Sequence, residues 1–307
     1  MNKYIKKIHV GLLRSISNRL DKNTALELYK HLSNRFDIKA VMTSGESGKI
    51  AGAPSELVMG SYVQQHAYCP GIVDLITSRL INNGKGSFID IGANIGLITV
   101  PVARNSQAVV HAFEPEPNNF GFLTRNVTEN LSPDRVTLHN IALVSNEGLL
   151  QFELSKDNFG DHRVRRKSKI TNQKYDEKNR QVIDVTGKRL DNVLNADELP
   201  HPIVVKMDTQ GAESEVVQGG GQLMDAADFV LTEYCPYLLL RFGTDPADFL
   251  KFIRTFPYAT MVDDLENSEL KLKPTDKVLE DALAFPQDGS AARHIDLLLA
   301  RQFDLRP

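Results

Sequence analysis

The chain is poor in the residue types that mark several common classes of protein. It has two cysteines, Cys69 and Cys235, and no CxxC pair. That excludes a disulfide framework and a thiolate zinc site, and it points to a reducing, cytoplasmic setting. No stretch approaches the roughly 18 uninterrupted apolar residues of a membrane-spanning helix. Neither sign of charge is in large excess, since 36 Lys and Arg stand against 39 Asp and Glu for a formal net charge of −3. A dedicated nucleic-acid binder draws its affinity mostly from a basic footprint, so that class is disfavoured. Tryptophan is absent, which decides nothing. What is present is ordinary: 41% of the 307 residues are apolar and 24% are charged. This is the balance of a folded protein, not of a disordered chain or a collagen-like repeat. The length fits one large α/β domain or two small ones.

The first forty residues are basic and helical in pattern. Ile5, Ile8, Leu12, Ile16 and Leu20 fall at helical spacings with Lys3, Lys6, Lys7, Arg14 and Arg19 between them. Residues 1–60 therefore read as an N-terminal helical segment: a packing element, a lid, or a homodimer contact, with a membrane-surface anchor as the other reading. Charged residues interrupt the apolar positions too early for a secretory signal. Residues 43–54 (TSGESGKIAGAP) read as a small, polar, Gly-rich loop. Their GxxGK spacing is not that of a phosphate loop, and Ile50 stands where the metal-binding hydroxyl belongs.

From residue 86 onward the pattern alternates. Apolar strands are expected at 87–91, 109–113, 136–140, 203–207, 229–233 and 295–299, and helices at 95–104, 117–130 and 246–255. Leu149 to Leu154 alternates as a further element, with Val182 to Val185 as its pairing partner. Strands that are apolar on both faces and separated by helices imply a mostly parallel sheet covered twice. Residues 155–181 break the rhythm with nine Lys/Arg against four acids, a local net of +5. That length and polarity exceed a simple connection. Asp161-His162-Arg163 within it suggests a loop facing substrate, while the 163–169 run lacks the interleaved aromatics of a nucleic-acid surface.

Chemistry concentrates at strand ends. Asp90-Ile91-Gly92-Ala93-Asn94-Ile95-Gly96 closes the first strand of the alternating region, and open α/β sheets bind ligands outside the carboxyl ends of their strands. An aspartate before the first glycine is unfavourable beside a phosphate and favourable beside an ammonium or sulfonium. Glu114 ends the next strand, 24 residues beyond Asp90, where an acid is placed to accept hydrogen bonds from ribose hydroxyls. Asp208 and Glu233 end two further strands, and with His162 they are the candidate general bases. Glu213 opens a helix as an ordinary partner of its dipole. The carboxylates also admit Mg²⁺, but nothing in their spacing requires a metal and none is expected.

FIDIGANIG (88–96), AFEPEPNNF (112–120), Asn140-Ile141-Ala142-Leu143 and KMDTQGAE (206–213) together resemble the FkbM-type S-adenosylmethionine-dependent methyltransferases. The resemblance spans roughly residues 60–300. It implies a Rossmann-like class I methyltransferase fold over residues 61–307, a mostly parallel seven-stranded sheet with an antiparallel last strand, interrupted by the basic insertion. It also implies S-adenosyl-L-methionine as cofactor and O-methylation of a hydroxyl on a sugar, glycan or polyketide-like small molecule. Carried over residue by residue, Asp90, Gly92, Asn94 and Gly96 hold the methionine end of the cofactor. Glu114 holds its ribose, Asn140 and Ala142 lie by the adenine, and Asp208 faces both cofactor and acceptor. Thr209-Gln210 stands where Val-Glu is common, which removes one carboxylate. The N-terminal helices, the 155–181 insertion and a 234–245 loop are expected to build the acceptor pocket. Alternatives are carboxyl O-methylation through Arg163, Arg165 and Arg166, or metal-assisted O-methylation. More remote are an NAD-dependent oxidoreductase, for which the turn lacks GxGxxG, and a non-catalytic cofactor-binding domain.

Overall fold

The computed structural model describes residues 24, 27–28, 31–32, 35–54, 57–81, 86–156, 158–166, 180–262, 271–284, 286–290 and 293–303. The apolar positions 5–20 and the basic stretch 167–179 lie outside the described residues. In chain order the elements are β1 (Val41–Gly45), β2 (Gly48–Gly52), α1 (Leu57–Gln65), α2 (Pro70–Ile81), β3 (Ser87–Ile91), α3 (Thr99–Asn105), β4 (Val109–Phe113) and α4 (Pro117–Asn130). There follow β5 (Val136–His139), β6 (Ala142–Leu143), β7 (Gly148–Leu154), β8 (Arg163–Val164), β9 (Gln181–Lys188), α5 (Leu190–Val193) and β10 (Ile203–Met207). The chain continues through α6 (Glu213–Gly219), α7 (Gly221–Ala226), β11 (Phe229–Tyr234), α8 (Pro236–Phe242), α9 (Pro246–Ile253), β12 (Tyr258–Met261), β13 (Lys273–Pro274), α10 (Thr275–Ala282) and β14 (Ile295–Ala300).

The main sheet has the order β13-β12-β14-β11-β10-β3-β4-β5. β3, β4, β5, β10 and β11 are mutually parallel, and β14 lies antiparallel between β11 and β12. This is the expected Rossmann-like α/β architecture with its antiparallel last strand. Among the described residues the sheet has eight strands rather than seven, because Lys273–Pro274 adds a two-residue edge to β12, too short to leave a pattern in the sequence. Alternation along the strands explains the double covering. Ile203, Val205 and Met207 of β10 pack into one apolar layer and Val204 into the other. Ile89 and Ile91 against Phe88, and Leu297 and Leu299 against Leu298, divide in the same way.

Several local expectations are corrected. Residues 43–54 are not a loop: β1 and β2 form an antiparallel hairpin with a turn at 46–47. The hairpin is fastened by Asn126 of α4, whose amide accepts from Ala51 N at 2.7 Å and donates to Ala51 O at 2.9 Å. That tertiary bond overrides the small, polar composition. The helix expected from 95 begins at Thr99, because Asn94 (φ 52°) and Gly96 (φ 88°) hold the preceding turn in left-handed backbone. Leu149–Leu154 does pair with Val182–Val185, but in a separate four-stranded sheet, β6-β9-β7-β8. The 234–245 segment is mostly α8, opened by Pro236 at its first turn and stopped by Gly243 at φ 101°.

Candidate functional site

At the carboxyl ends of β3, β4, β10 and β11 lies a cavity of about 440 Å³. Its wall takes Gly92–Ile95 from the turn after β3, Glu114 from the end of β4, Lys206 to Gln210 around the end of β10 (Met207 excepted), and Glu233 from β11. An apolar side is built by Phe113, Ile141, Ala142, Leu143, Phe152 and Val164, and the far side by Val58, Tyr68, Asn158, Phe159, Gly160, His162 and His294.

Asp90 is fully buried beneath the turn and does not line the cavity. Its Oδ2 accepts from Thr99 Oγ1 at 2.6 Å, and its Oδ1 lies 3.1 Å from Lys206 Nζ. Lys206 in turn donates to Gly92 O at 2.9 Å. Burial opposes the charge on Lys206, but Asp90 and Asp208 more than offset it, and its pKa stands above the ordinary lysine value. The inference of a cationic ligand from Asp90 therefore fails, because Lys206 neutralises that carboxylate. Lys206 opens the KMDTQGAE motif, but the sequence alone assigns it no role. It stands two positions before Asp208, on the same face of the chain, but its contact with Asp90 comes from the pairing of β10 with β3.

The turn itself is tight. Gly92 N and Ala93 N both donate to Phe113 O, at 3.0 and 2.9 Å. A Cβ on Gly92 would stand 2.0 Å from Asp208 O, and its φ is +79°. Glycine here lets the ends of β3 and β10 touch. Glu114 is buried, and each of its carboxylate oxygens takes one backbone N–H: Oε2 from Asn94 at 2.9 Å and Oε1 from Glu116 at 2.8 Å. Burial dominates and pushes its pKa up to about 8. Asn94 Oδ1 is buried at the wall without a hydrogen-bond partner. Gly96 and Asn140 lie off the wall. Gly96 packs under Leu123, and Asn140 donates to Glu114 O and Pro115 O at 2.8 and 3.1 Å, fixing the turn that carries Glu114. Ala142 is on the wall.

Asp208 is held by its neighbours. Gln210 (φ 55°) donates from Nε2 to Asp208 Oδ1 at 2.7 Å. The departure at 209–210 thus replaces a repelling carboxylate with a donor that orients Asp208. Glu213 is more than a partner of the helix dipole: its Oε1 accepts from Thr209 N, Thr209 Oγ1 and Gly211 N at 2.9, 3.0 and 3.2 Å, closing the turn. Glu233 is held well above the ordinary carboxylate range by burial, then by Asp208, Glu213, Asp296 and Asp161.

His162 reaches the wall, but its Nδ1 accepts from Ser155 N at 3.0 Å. The neutral ring therefore carries its proton on Nε2 and presents a donor. Burial, aided by Arg180, pushes its pKa down to about 4. A ring so arranged is poorly suited to act as a general base. Arg163, expected among the binders of an acceptor carboxylate, is buried between Glu153 (2.9 Å) and Asp161 (3.3 Å), and Arg166 stacks over Phe242 with its guanidinium carbon 4.6 Å from the ring centroid. None of residues 234–245 lines the cavity. Among the described residues no group of His, Cys, Asp and Glu has the geometry of a metal site, and no helix is long and apolar enough to cross a membrane. His294 carried no signal in the sequence, because it precedes β14 without any motif.

The "Methyltransferase FkbM domain" family matches residues 90–258. Among curated proteins, the "Hexuronic acid methyltransferase AglP" of Haloferax volcanii is 30% identical over 181 residues, 59% of this chain and 66% of that protein. The "2-O-methyltransferase NoeI" of Sinorhizobium fredii is 28% identical over 155 residues, 48% of this chain and 62% of the relative. The match thus spans less than two thirds of the length of either relative. Among solved structures, the magnesium protoporphyrin IX methyltransferase of Synechocystis with bound SAM is 12% identical with a TM-score of 0.37, covering 75% of this chain and 78% of that one.

Proposed function

The chain belongs to the FkbM methyltransferase family, and on that premise we propose that it is an S-adenosylmethionine-dependent O-methyltransferase acting on a hydroxyl of a sugar, glycan or related small molecule. The observation that carries this reading is that one cavity gathers Glu114, Asn94 and Asp208 at the ends of three adjoining parallel strands. The relatives are named a hexuronic acid methyltransferase and a 2-O-methyltransferase; the first name supports a sugar-type acceptor and the second transfer to an oxygen. On this reading residues 61–307 form the methyltransferase domain behind an N-terminal segment, 1–60. The 155–181 insertion contributes residues 158–160, 162 and 164 to the cavity wall.

The residues present suit the cofactor. Asn94 Oδ1 is a buried acceptor that wants a donor, and the methionine ammonium supplies one. Glu114 has one N–H on each oxygen, which leaves each a lone pair for a ribose hydroxyl. Ile141, Ala142, Leu143 and Phe113 give an apolar bed for the adenine. When bound, the cofactor supplies a methyl group on a positively charged sulfur. Asp208, held by Gln210, accepts the hydrogen bond of the acceptor hydroxyl and takes its proton, a contribution of about 10²- to 10⁴-fold. Protonated Glu233 and the Nε2–H of His162 donate to other oxygens of the acceptor and fix its angle of approach.

Calorimetric titration with S-adenosylhomocysteine and transfer of a labelled methyl group to a cell extract test this together. Glu114→Ala is expected to weaken nucleoside binding by roughly tenfold to a hundredfold, the scale of hydrogen bonds to a charged group. Asp208→Asn is expected to bind normally and lose about 10²-fold or more in turnover. A wild-type protein that does not bind the nucleoside, or an Asp208→Asn variant of unchanged rate, overturns the proposal.

A further inference from the structure

We propose that the acceptor end of this cavity selects a polyol bearing a protonated amine, such as a free amino sugar, tolerates the neutral sugar, and rejects acceptors that carry a carboxylate. The inference rests on reading the cavity as a methyl-transfer site and names the acceptor class for it.

Three adjoining strands present acids in a row. Met207 of β10 is in register with Thr232 of β11, so Asp208 and Glu233 are level, and both line the cavity. On the other side of β11, Glu233 is in register with Asp296 of β14. Behind Asp208, the buried carboxylate of Glu213 closes its turn. Opposing positive charge is scarce. Among the described residues, Lys206 is the one lysine or arginine on the cavity wall, and it is engaged by Asp90 and Gly92 O. The basic insertion does not change this over its described part: Lys156, Arg163, Arg165, Arg166 and Arg180 are all off the cavity wall, and Arg163 lies buried against Glu153 and Asp161.

Burial first, and then the like charges of Asp208, Glu213, Asp296 and Asp161, hold the pKa of Glu233 well above the ordinary carboxylate range and favour its protonated form. An ammonium placed beside Asp208 and Glu233 relieves that repulsion and draws the proton off Glu233 into solvent. A carboxylate placed there adds a further negative charge to the row. Neutral hydroxyls meet acceptors on Asp208 and donors on protonated Glu233 and on His162 Nε2–H. The expected order is therefore amine, then neutral, then carboxylate.

The test uses the full chain saturated with S-adenosylhomocysteine, titrated with glucosamine, glucose and glucuronate in two buffers of different ionisation heat. Glucosamine is expected to bind at least tenfold tighter than glucose, with buffer-dependent heat that reports proton release. Glucuronate is expected to bind at least tenfold weaker than glucose. Glu233→Gln should keep nucleoside binding, abolish the proton release and narrow the gap between glucosamine and glucuronate. Glucuronate binding as well as glucosamine, binding of glucosamine without proton release, or three indistinguishable titrations, absent binding included, overturns this inference alone. Failure of S-adenosylhomocysteine itself to bind overturns the methyltransferase reading and this inference with it.

Discussion

Glu114 shows how one side chain sets a pH dependence. Burial disfavours its charged form, and the two backbone N–H groups only partly offset this, so its pKa is pushed up to about 8 from an ordinary 4.5. Between those two values the folded protein binds more protons than the unfolded chain, so this residue's contribution to stability falls as pH rises through the window. Ribose hydroxyls donate to a charged carboxylate better than to a neutral one, so nucleoside binding should move the opposite way. Affinity for S-adenosylhomocysteine is expected to rise by up to tenfold per pH unit until about pH 8 and then level off, the slope of a single proton release. Glu114→Gln should flatten that rise and also remove its share of the stability loss in the ligand-free protein. Titrations at pH 6, 7, 8 and 9 check this. A flat wild-type profile between 6 and 8 would show that Glu114 is already ionised.

At the scale of elements, the site is made by two turns that touch, after β3 and after β10. Gly92→Ala places a Cβ 2.0 Å from Asp208 O at a φ of +79°. The obstacle is backbone and cannot rotate away, so the variant is expected to lose roughly 2–4 kcal/mol of stability and to bind nucleoside poorly. Gly121→Ala is the control. It lies inside α4, where a Cβ meets nothing within 4 Å, and it should stabilise by roughly 0.5–1 kcal/mol. Denaturant midpoints separate the two, and equal shifts would refute the contact argument. The same elements show what the sequence made legible. Short runs apolar on both faces and strand-end acids are local signals, so the main sheet and the placement of Glu114, Asp208 and Glu233 at its rim are legible in the sequence. The roles of other residues depended on distant partners. The sequence alone places Asp90 at the ligand, because Lys206 is brought onto it only by the pairing of β3 with β10. The β1–β2 hairpin is fixed by Asn126, 75 positions from Ala51. His162 loses its role as a base to a single bond from Ser155 N, which no residue pattern announces.

At the scale of the whole molecule, the cavity is shared by two sheets, and a buried ionic cluster fastens one to the other. Phe152 of β7 and Val164 of β8 give the small sheet's side of the wall. They pack with Ala212 and with Phe242 of α8, which follows the main sheet's β11. Glu153 Oε1 accepts from Arg163 Nε on the neighbouring strand and from Arg241 of α8, while Asp161 pairs with Arg163 and Arg180. All but Arg180 are buried as whole residues, and Arg180 has a buried side chain. Buried pairs add little net stability over a hydrophobic alternative, but removing one partner leaves uncompensated charge, at about 3–5 kcal/mol. Glu153→Gln is therefore expected to lower the thermal midpoint by several degrees and to weaken nucleoside binding, because the wall carrying Phe152, His162 and Val164 loses its tie to α8. The combined variant Glu153→Leu, Arg163→Met, Arg241→Leu removes three of the five charges together, leaves the Asp161–Arg180 pair matched, and should recover most of that stability. Thermal unfolding with and without S-adenosylhomocysteine distinguishes the outcomes. A Glu153→Gln protein that unfolds at the wild-type temperature would show that the small sheet is held by its apolar contacts alone.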